Sequence, residues 1–558
     1  MFQSQKGVDE ELKKQRRIAE ENDTRRRAAR AGLPYLDLIA AKIPVNLKAL
    51  RLLKEDESKR TMVIPFELTK AKLLIAAYDP LKPESAEVIE RLKKGHASEV
   101  FVVSPNSLAY GWGYYQYVTD VKDISGSVNI NPAHLEELFA KISTINDLTA
   151  EIEAHTGEFT SQMLEIVIAG GLALKASDIH LEANEDSGAF RLRMDGVLHN
   201  AYDKFEKATY HSIVTRVKLL SNLKLNIHGE AQDGRFTIHA KGKSIEVRTS
   251  VIPSEYGETV VMRLLDPTSL KVNLEELGWR PDLLAIAKHE ISQPNGLILN
   301  TGPTGSGKTT TLYAFLQHVR NTEINIITVE DPIEYHLAGI SQTQVDEAAD
   351  YTFANGLRSI LRQDPDVVLV GEIRDKDTAE TALNAALTGH LVFSTLHTND
   401  SVGAIPRLLN LGAQAQILAP GLRLIIAQRL VRVLCDDCKK PRELAPEAKA
   451  RIRKFLDELP PVIDKAGYAD IRVYEPVGCE KCQGIGYRGR TSVFELFTVT
   501  TEIQRLIYGN ITDFDLKDAA RKQGMIFLQE DGVLKIISGI TSIEEVEDVT
   551  GSVEWWPR

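Results

Sequence analysis

The chain has 558 residues, more than one ordinary core holds, and that length predicts about three or four domains. Hydrophobic residues make up 43% and charged residues 26%, the mix of a soluble globular protein; stretches such as Ile166–Leu174 fall far short of a membrane span, and the polar N-terminus has no apolar signal core. A formal net charge of −11 argues against a protein whose main task is gripping nucleic acid, and a cytoplasmic protein is expected.

In chain order, residues 1–33 mix Lys and Arg with Asp and Glu and read as a charged, solvated arm. Residues 34–120 turn globular: Val63–Phe66, Leu73–Ala77 and Glu99–Val103 read as short strands and Glu84–Lys94 as a helix, together a small α/β domain. Turn formers such as Asp123, Ser125 and Gly126 mark residues 121–145 as a linker. A second domain, 146–269, opens with a helix over Phe159–Leu174. It continues in strands at Phe190–Met194, Phe236–Ala240 and Ser244–Val251. From residue 270 to 558 strands and helices alternate, which predicts a mainly parallel sheet.

The third domain carries a phosphate-binding signature. Gly296–Asn300 is a buried-strand pattern, Gly302-Pro303-Thr304-Gly305-Ser306-Gly307-Lys308-Thr309 follows it, and Thr309–Val319 reads as a helix. In that setting the glycines let backbone N–H groups curl around phosphate oxygens at a helix N-terminus. Lys308 is expected on the β and γ phosphates and the Thr309 hydroxyl on Mg²⁺, with Thr310 beside them. Binding is not hydrolysis, which needs further groups at neighbouring strand ends. Val367–Val370 ends in Gly371-Glu372; with Gly371 where an Asp is usual, Glu372 carries the Mg²⁺ or water role alone. Ile324–Val329 runs into Glu330-Asp331-Pro332-Ile333-Glu334, and either Glu334 or Glu372 orients the attacking water. Leu391–Ser394 runs into Thr395-Leu396-His397-Thr398-Asn399, where His397 senses the γ-phosphate or is merely structural. Arg358 and Arg362, four apart on a helix before the Glu372 strand, either reach the site or pair with carboxylates.

All four cysteines fall in one constellation, Cys435-Asp436-Asp437-Cys438 and Cys479-Glu480-Lys481-Cys482. Two C-x₂-C knuckles can set four thiolates around Zn²⁺, a closed and hence structural site; disulfides or free thiols are the alternatives. The segment between the knuckles accommodates a helix over Glu447–Leu459, bracketed by Pro446 and Pro460.

Together these motifs resemble the ATPases of type II secretion and type IV pilus assembly. The phosphate loop, Glu330–Glu334, Asp364–Asp375 and Thr395–Asn399 look like that family's Walker A, Asp box, atypical Walker B and His box. In the second domain Ala176–Glu182, Arg191–Gly196, Gln232–Arg235 and Gly257–Arg263 are similar to it as well. The resemblance implies a RecA-like P-loop core at 270–558 with a zinc module at 430–492, preceded by a PAS-like α/β domain. It further implies a homo-hexameric ring using ATP and Mg²⁺, in which Arg235, Arg248 and Arg263 approach the phosphates. The 34–120 domain would dock on an inner-membrane platform protein, placing the chain at the inner face of the cytoplasmic membrane. Some members bind cyclic di-GMP upstream through an Arg-Leu-Gly-type motif; that motif is missing, and the ligand is not expected. Pilus assembly is the expected role, with pseudopilus assembly and export as the alternative. A DNA-translocating ring or a non-catalytic nucleotide scaffold accounts for fewer of the motifs.

Overall fold

The computed structural model describes residues 17, 19–41, 43, 45–69, 72–95, 97–117, 127–128, 132–156, 160–240, 243–266, 272–509 and 512–556. Most of the charged arm, the first part of the expected linker and the expected boundary at 269–270 lie outside them. The chain forms two compact units: residues 1–192 with 199–264, and residues 193–198 with 265–558.

The first unit holds two sheets. Val63–Leu68, Leu73–Ala77 and Ser98–Val102 form a three-stranded sheet, antiparallel then parallel, packed with the helix Pro83–Lys93. A seven-stranded sheet follows. Its order is Ser127–Val128, Gln232–Ala240, Lys243–Ser254, Gly257–Leu265, Asp178–Ala183, Ser187–Met194 and Val197–Glu206. Helices Thr160–Ala173 and Lys207–Leu220 pack against each other and on this sheet. Part of the segment expected as a linker, 121–145, carries regular structure where it is described. Ser127–Val128 pairs in parallel with Thr237–Ile238, and Pro132–Lys141 is a helix in contact with Thr160–Ala173. The turn formers at 123–126 end just before that pairing, so composition marked only the start of the segment.

The second unit is built on another seven-stranded sheet. Its order is Ser341–Gln344, Ile326–Glu330, Val367–Val370, Leu391–Leu396, Gly296–Thr301, Leu422–Leu434 and Tyr487–Thr498. Neighbours are parallel except the last pair, which is antiparallel. The central strands are apolar on both faces, as a sheet covered on both sides requires. Leu297, Leu299, Val368, Val370 and Val392 point into one core with the helices Phe353–Ile360 and Lys376–Leu387. Ile298, Leu369 and Phe393 alternate into another with Pro281–Ile291 and Lys308–Val319. A third core joins the helix Pro446–Glu458 to Leu528–Ile537 and Ile543–Thr550 near the cysteines. A buried ion pair, Arg280 with Asp531, ties the start of this unit to its C-terminal helices.

Candidate active site

The site begins where a fully buried strand ends. The chain leaves Gly296–Thr301 at Gly302 and enters the helix Lys308–Val319 at Lys308. Gly305 and Gly307 have φ of 80° and 88°, values that side chains with a Cβ rarely adopt. Space also demands glycine: a Cβ on Gly302 would lie 2.6 Å from the Gln428 carbonyl oxygen, and one on Gly307 2.8 Å from Gln428 Nε2. The product is a tight turn at a helix N-terminus, the setting in which backbone N–H groups hold phosphate. Pro303, Thr304, Gly305 and Thr309 are exposed, and Thr310 is half-buried. Ser306 is buried, and its hydroxyl has no hydrogen-bond partner among the described residues, leaving a donor to spare.

Lys308 Nζ donates to the Gly302 and Pro303 carbonyls at 2.8 and 3.0 Å, so the lysine lies folded over its own loop. Burial draws its pKa down to about 8; Glu372 opposes that shift and Arg429 adds to it. Glu372 stands just past the Val367–Val370 strand, where its carboxylate pairs with Arg374, and His397 Nε2 is 3.5 Å away. Arg374 also lies 3.8 Å from Asp331, so one guanidinium spans the ends of two strands. Burial and the Lys308 charge push the His397 pKa below its usual value, which favours the neutral ring. Lys308, Glu372 and His397 thus form one electrostatic cluster at the C-terminal edge of the parallel sheet, where such sheets place their ligands.

Glu330 is 3% exposed and accepts hydrogen bonds from Tyr313, from Thr328 at 2.6 Å and from Gln342 at 3.1 Å, which makes it a core acceptor rather than a base. Glu334 lies beyond the strand end and is half-buried. The helix before the Glu372 strand stops at Ile360, so Arg362 is not on it; Arg362 donates to the Arg358 carbonyl, and Arg358 lies 3.5 Å from Asp377. The pair shares no helical face, and Arg358 takes the carboxylate-pairing alternative.

The three arginines of the first unit lie on neighbouring strands of its larger sheet. Arg235 and Arg248 stand directly opposite each other in the antiparallel register. Arg248 is 3.6 Å from Glu246, and Arg263 Nε donates to Asp178 at 2.8 Å.

Sequence reasoning missed three residues of the second unit. Arg374 follows Glu372 by two positions and masks its carboxylate. Gln428 and Arg429 lie in the middle of the strand Leu422–Leu434, after the apolar run Leu424–Ala427. Gln428 is 1% exposed, and Arg429, 8% exposed, donates to the Gln428 and Asn399 carbonyls at 3.0 and 2.6 Å. The signal was available: polar side chains inside a buried strand need partners.

The four cysteine sulfurs lie within 4.8 Å of one another, with Cys435–Cys479 at 3.9 Å, Cys438–Cys482 at 3.8 Å and Cys479–Cys482 at 3.7 Å. A tetrahedral ion with Zn–S bonds near about 2.3 Å sets its sulfurs about 3.8 Å apart, so the donor set fits zinc. Burial alone would raise the Cys482 thiol, but backbone N–H groups of Cys479 and Gly486, at 3.1 and 3.2 Å, outweigh it and bring its pKa to about 7.

A lysine-bearing loop between a buried parallel strand and a helix, with a carboxylate at a neighbouring strand end, defines a P-loop nucleotide hydrolase. The chain belongs to the family of type II/IV secretion system proteins, whose model matches residues 153–548; an MshEN domain model matches 31–119. It is 37% identical over 530 residues to the type IV pilus assembly ATPase PilB of Pseudomonas aeruginosa, covering 94% of this chain and 89% of that one. It is 44% identical over 405 residues to the type II secretion system ATPase E of Vibrio cholerae, covering 72% and 77%. The Yersinia pseudotuberculosis ATPase DotB shares the fold at TM-score 0.51 and 20% identity, over 71% of this chain and 95% of that one. The protein is an ATPase of this family. No helix among the described residues is long and apolar enough to cross a membrane.

Proposed function

We propose that this chain is the subunit of a homo-hexameric motor that hydrolyses ATP to drive type IV pilus assembly from the inner face of the cytoplasmic membrane. The observation that carries this reading is coverage: PilB proteins of Myxococcus xanthus and Pseudomonas aeruginosa align with 92% and 94% of the chain. Type II secretion relatives align with 70% to 75% of it. Pseudopilus assembly remains the second reading, favoured by the higher identity, up to 44%, within that shorter match.

In this reading the phosphate-loop amides and Lys308 grip the β and γ phosphates once Lys308 leaves the Gly302 and Pro303 carbonyls. Thr309 and Glu372 hold Mg²⁺, Glu334 or Glu372 orients the water, and neutral His397 reports on the γ-phosphate. Arg235, Arg248 and Arg263 of the second domain, 146–269 and PAS-like by resemblance, add cationic charge to the transition state when the ring closes. The 34–120 domain docks on a membrane platform protein. The four cysteines hold zinc and brace the 430–492 module, which supplies structure and no open ligand position.

The test is chromosomal Lys308→Ala in the native host. Bald cells that still export their secreted proteins are expected; normal piliation with blocked export would overturn the assignment in favour of the second reading.

A further inference from the structure

The polar residue at the centre of strand Leu422–Leu434 is placed under the phosphate loop by both its main chain and its side chain. Gln428 Oε1 accepts from Asn300 Nδ2 at 2.9 Å and from the Thr311 hydroxyl at 2.8 Å, while Nε2 donates to Ser492 Oγ at 2.9 Å. Asn300 lies near the end of the strand that leads into the loop. Thr311 lies in the first turn of the helix that leaves it. One amide oxygen therefore spans the loop's two ends with both lone pairs engaged. All four side chains are buried: Asn300 and Thr311 at 0%, Gln428 at 1%, Ser492 at 2% exposed. The contact is tight as well as polar, because the Gln428 carbonyl and Nε2 occupy the space that side chains at Gly302 and Gly307 would need.

A loop of backbone donors binds phosphate only if strand end and helix start hold a fixed separation. The three glycines of Gly302–Gly307 add no packing of their own to hold it. We propose that Gln428 is the positioning residue of the phosphate loop, setting the span between Asn300 and Thr311 and so the alignment of the amides on the nucleotide. This deepens the proposed function and rests on its phosphate-site reading. Gln428 touches no nucleotide in this account; it acts through the loop.

The role predicts a binding defect rather than a chemical one. Purified full-length Gln428→Met keeps the length of the side chain but neither accepts nor donates as an amide does. Its Kd for a fluorescent Mg·ATP analogue and its KM are expected to rise about tenfold or more, with kcat at saturation within about threefold. Gln428→Glu keeps the acceptor for Asn300 and Thr311 and takes the Ser492 hydroxyl as a donor. It is expected to restore Kd to within about twofold of wild type. A folded Gln428→Met with wild-type Kd and KM, a loss confined to kcat, or a Glu variant no better than Met overturns the proposal. If the Met variant does not fold, Thr311→Val replaces it: a raised KM at near-normal kcat supports the role, and an unchanged KM contradicts it. Lys308→Ala run in parallel separates the two claims. Wild-type nucleotide binding by that variant would sink the phosphate-site reading itself, whereas loss in Lys308→Ala alone would sink only the role of Gln428.

Discussion

Lys308 carries the one charge in the loop whose protonation falls within an ordinary assay range. Its pKa of about 8 means that the free protein carries a charged lysine at pH 7 and a mostly neutral one at pH 9. A phosphate restores the charge, so above about pH 8 binding takes up a proton and affinity falls by up to about tenfold per pH unit, while below it affinity is flat. Titrating Mg·ADP affinity from pH 7 to 9.5 checks this; a pH-independent Kd would contradict it. Lys308, Glu372 and His397, which the fold brings together, were visible in the sequence as residues of the phosphate loop and of neighbouring strand ends. Glu330 belongs to the same run of carboxylates, and only the fold shows Tyr313, Thr328 and Gln342 arriving on its carboxylate. Gln428 left a visible trace, an amide after an apolar run, but its partners come from residues about 65 to 130 positions away and no spacing rule links them.

At the scale of elements, the strand Gly296–Thr301 does two tasks: its side chains feed both cores and its end launches the phosphate loop. Ile298, fully buried between strands, should cost about 2–5 kcal/mol when cut to Ala. Thermal melting reads this, and a drop of less than about 1 kcal/mol would show that the strand is not the pillar described. The cysteine knuckles sit where the long antiparallel pair Leu422–Leu434 and Tyr487–Thr498 gives way to a loop and helix excursion. Removing the metal with a chelator, or replacing Cys482 by Ser, should abolish bound zinc and lower the melting temperature; a metal-free wild type with unchanged melting would contradict a structural zinc. The helix Lys308–Val319 and the short, uniformly apolar strand Val367–Val370 were readable to within a residue or so. The two-residue strand Ser127–Val128 was not, because a strand that short has no period and exists only through its pairing with Thr237–Ile238. The end of Phe353–Ile360 was likewise set by local geometry, which put Arg362 outside it.

At the scale of the whole molecule, two compact units and a zinc-fitting module belong to a chain whose relatives are named as ATPases of type II secretion and type IV pilus assembly. With a net charge of −11, hydrolysis should be indifferent to added DNA. The central claim is that the Gly302–Thr309 loop is where this chain turns over ATP. The most direct measurement is steady-state phosphate release from ATP by the purified full-length protein with Mg²⁺, beside Lys308→Ala prepared identically. Mg²⁺-dependent turnover is expected from the wild type and none above background from the variant; equal turnover by the two would show that ATP is hydrolysed elsewhere.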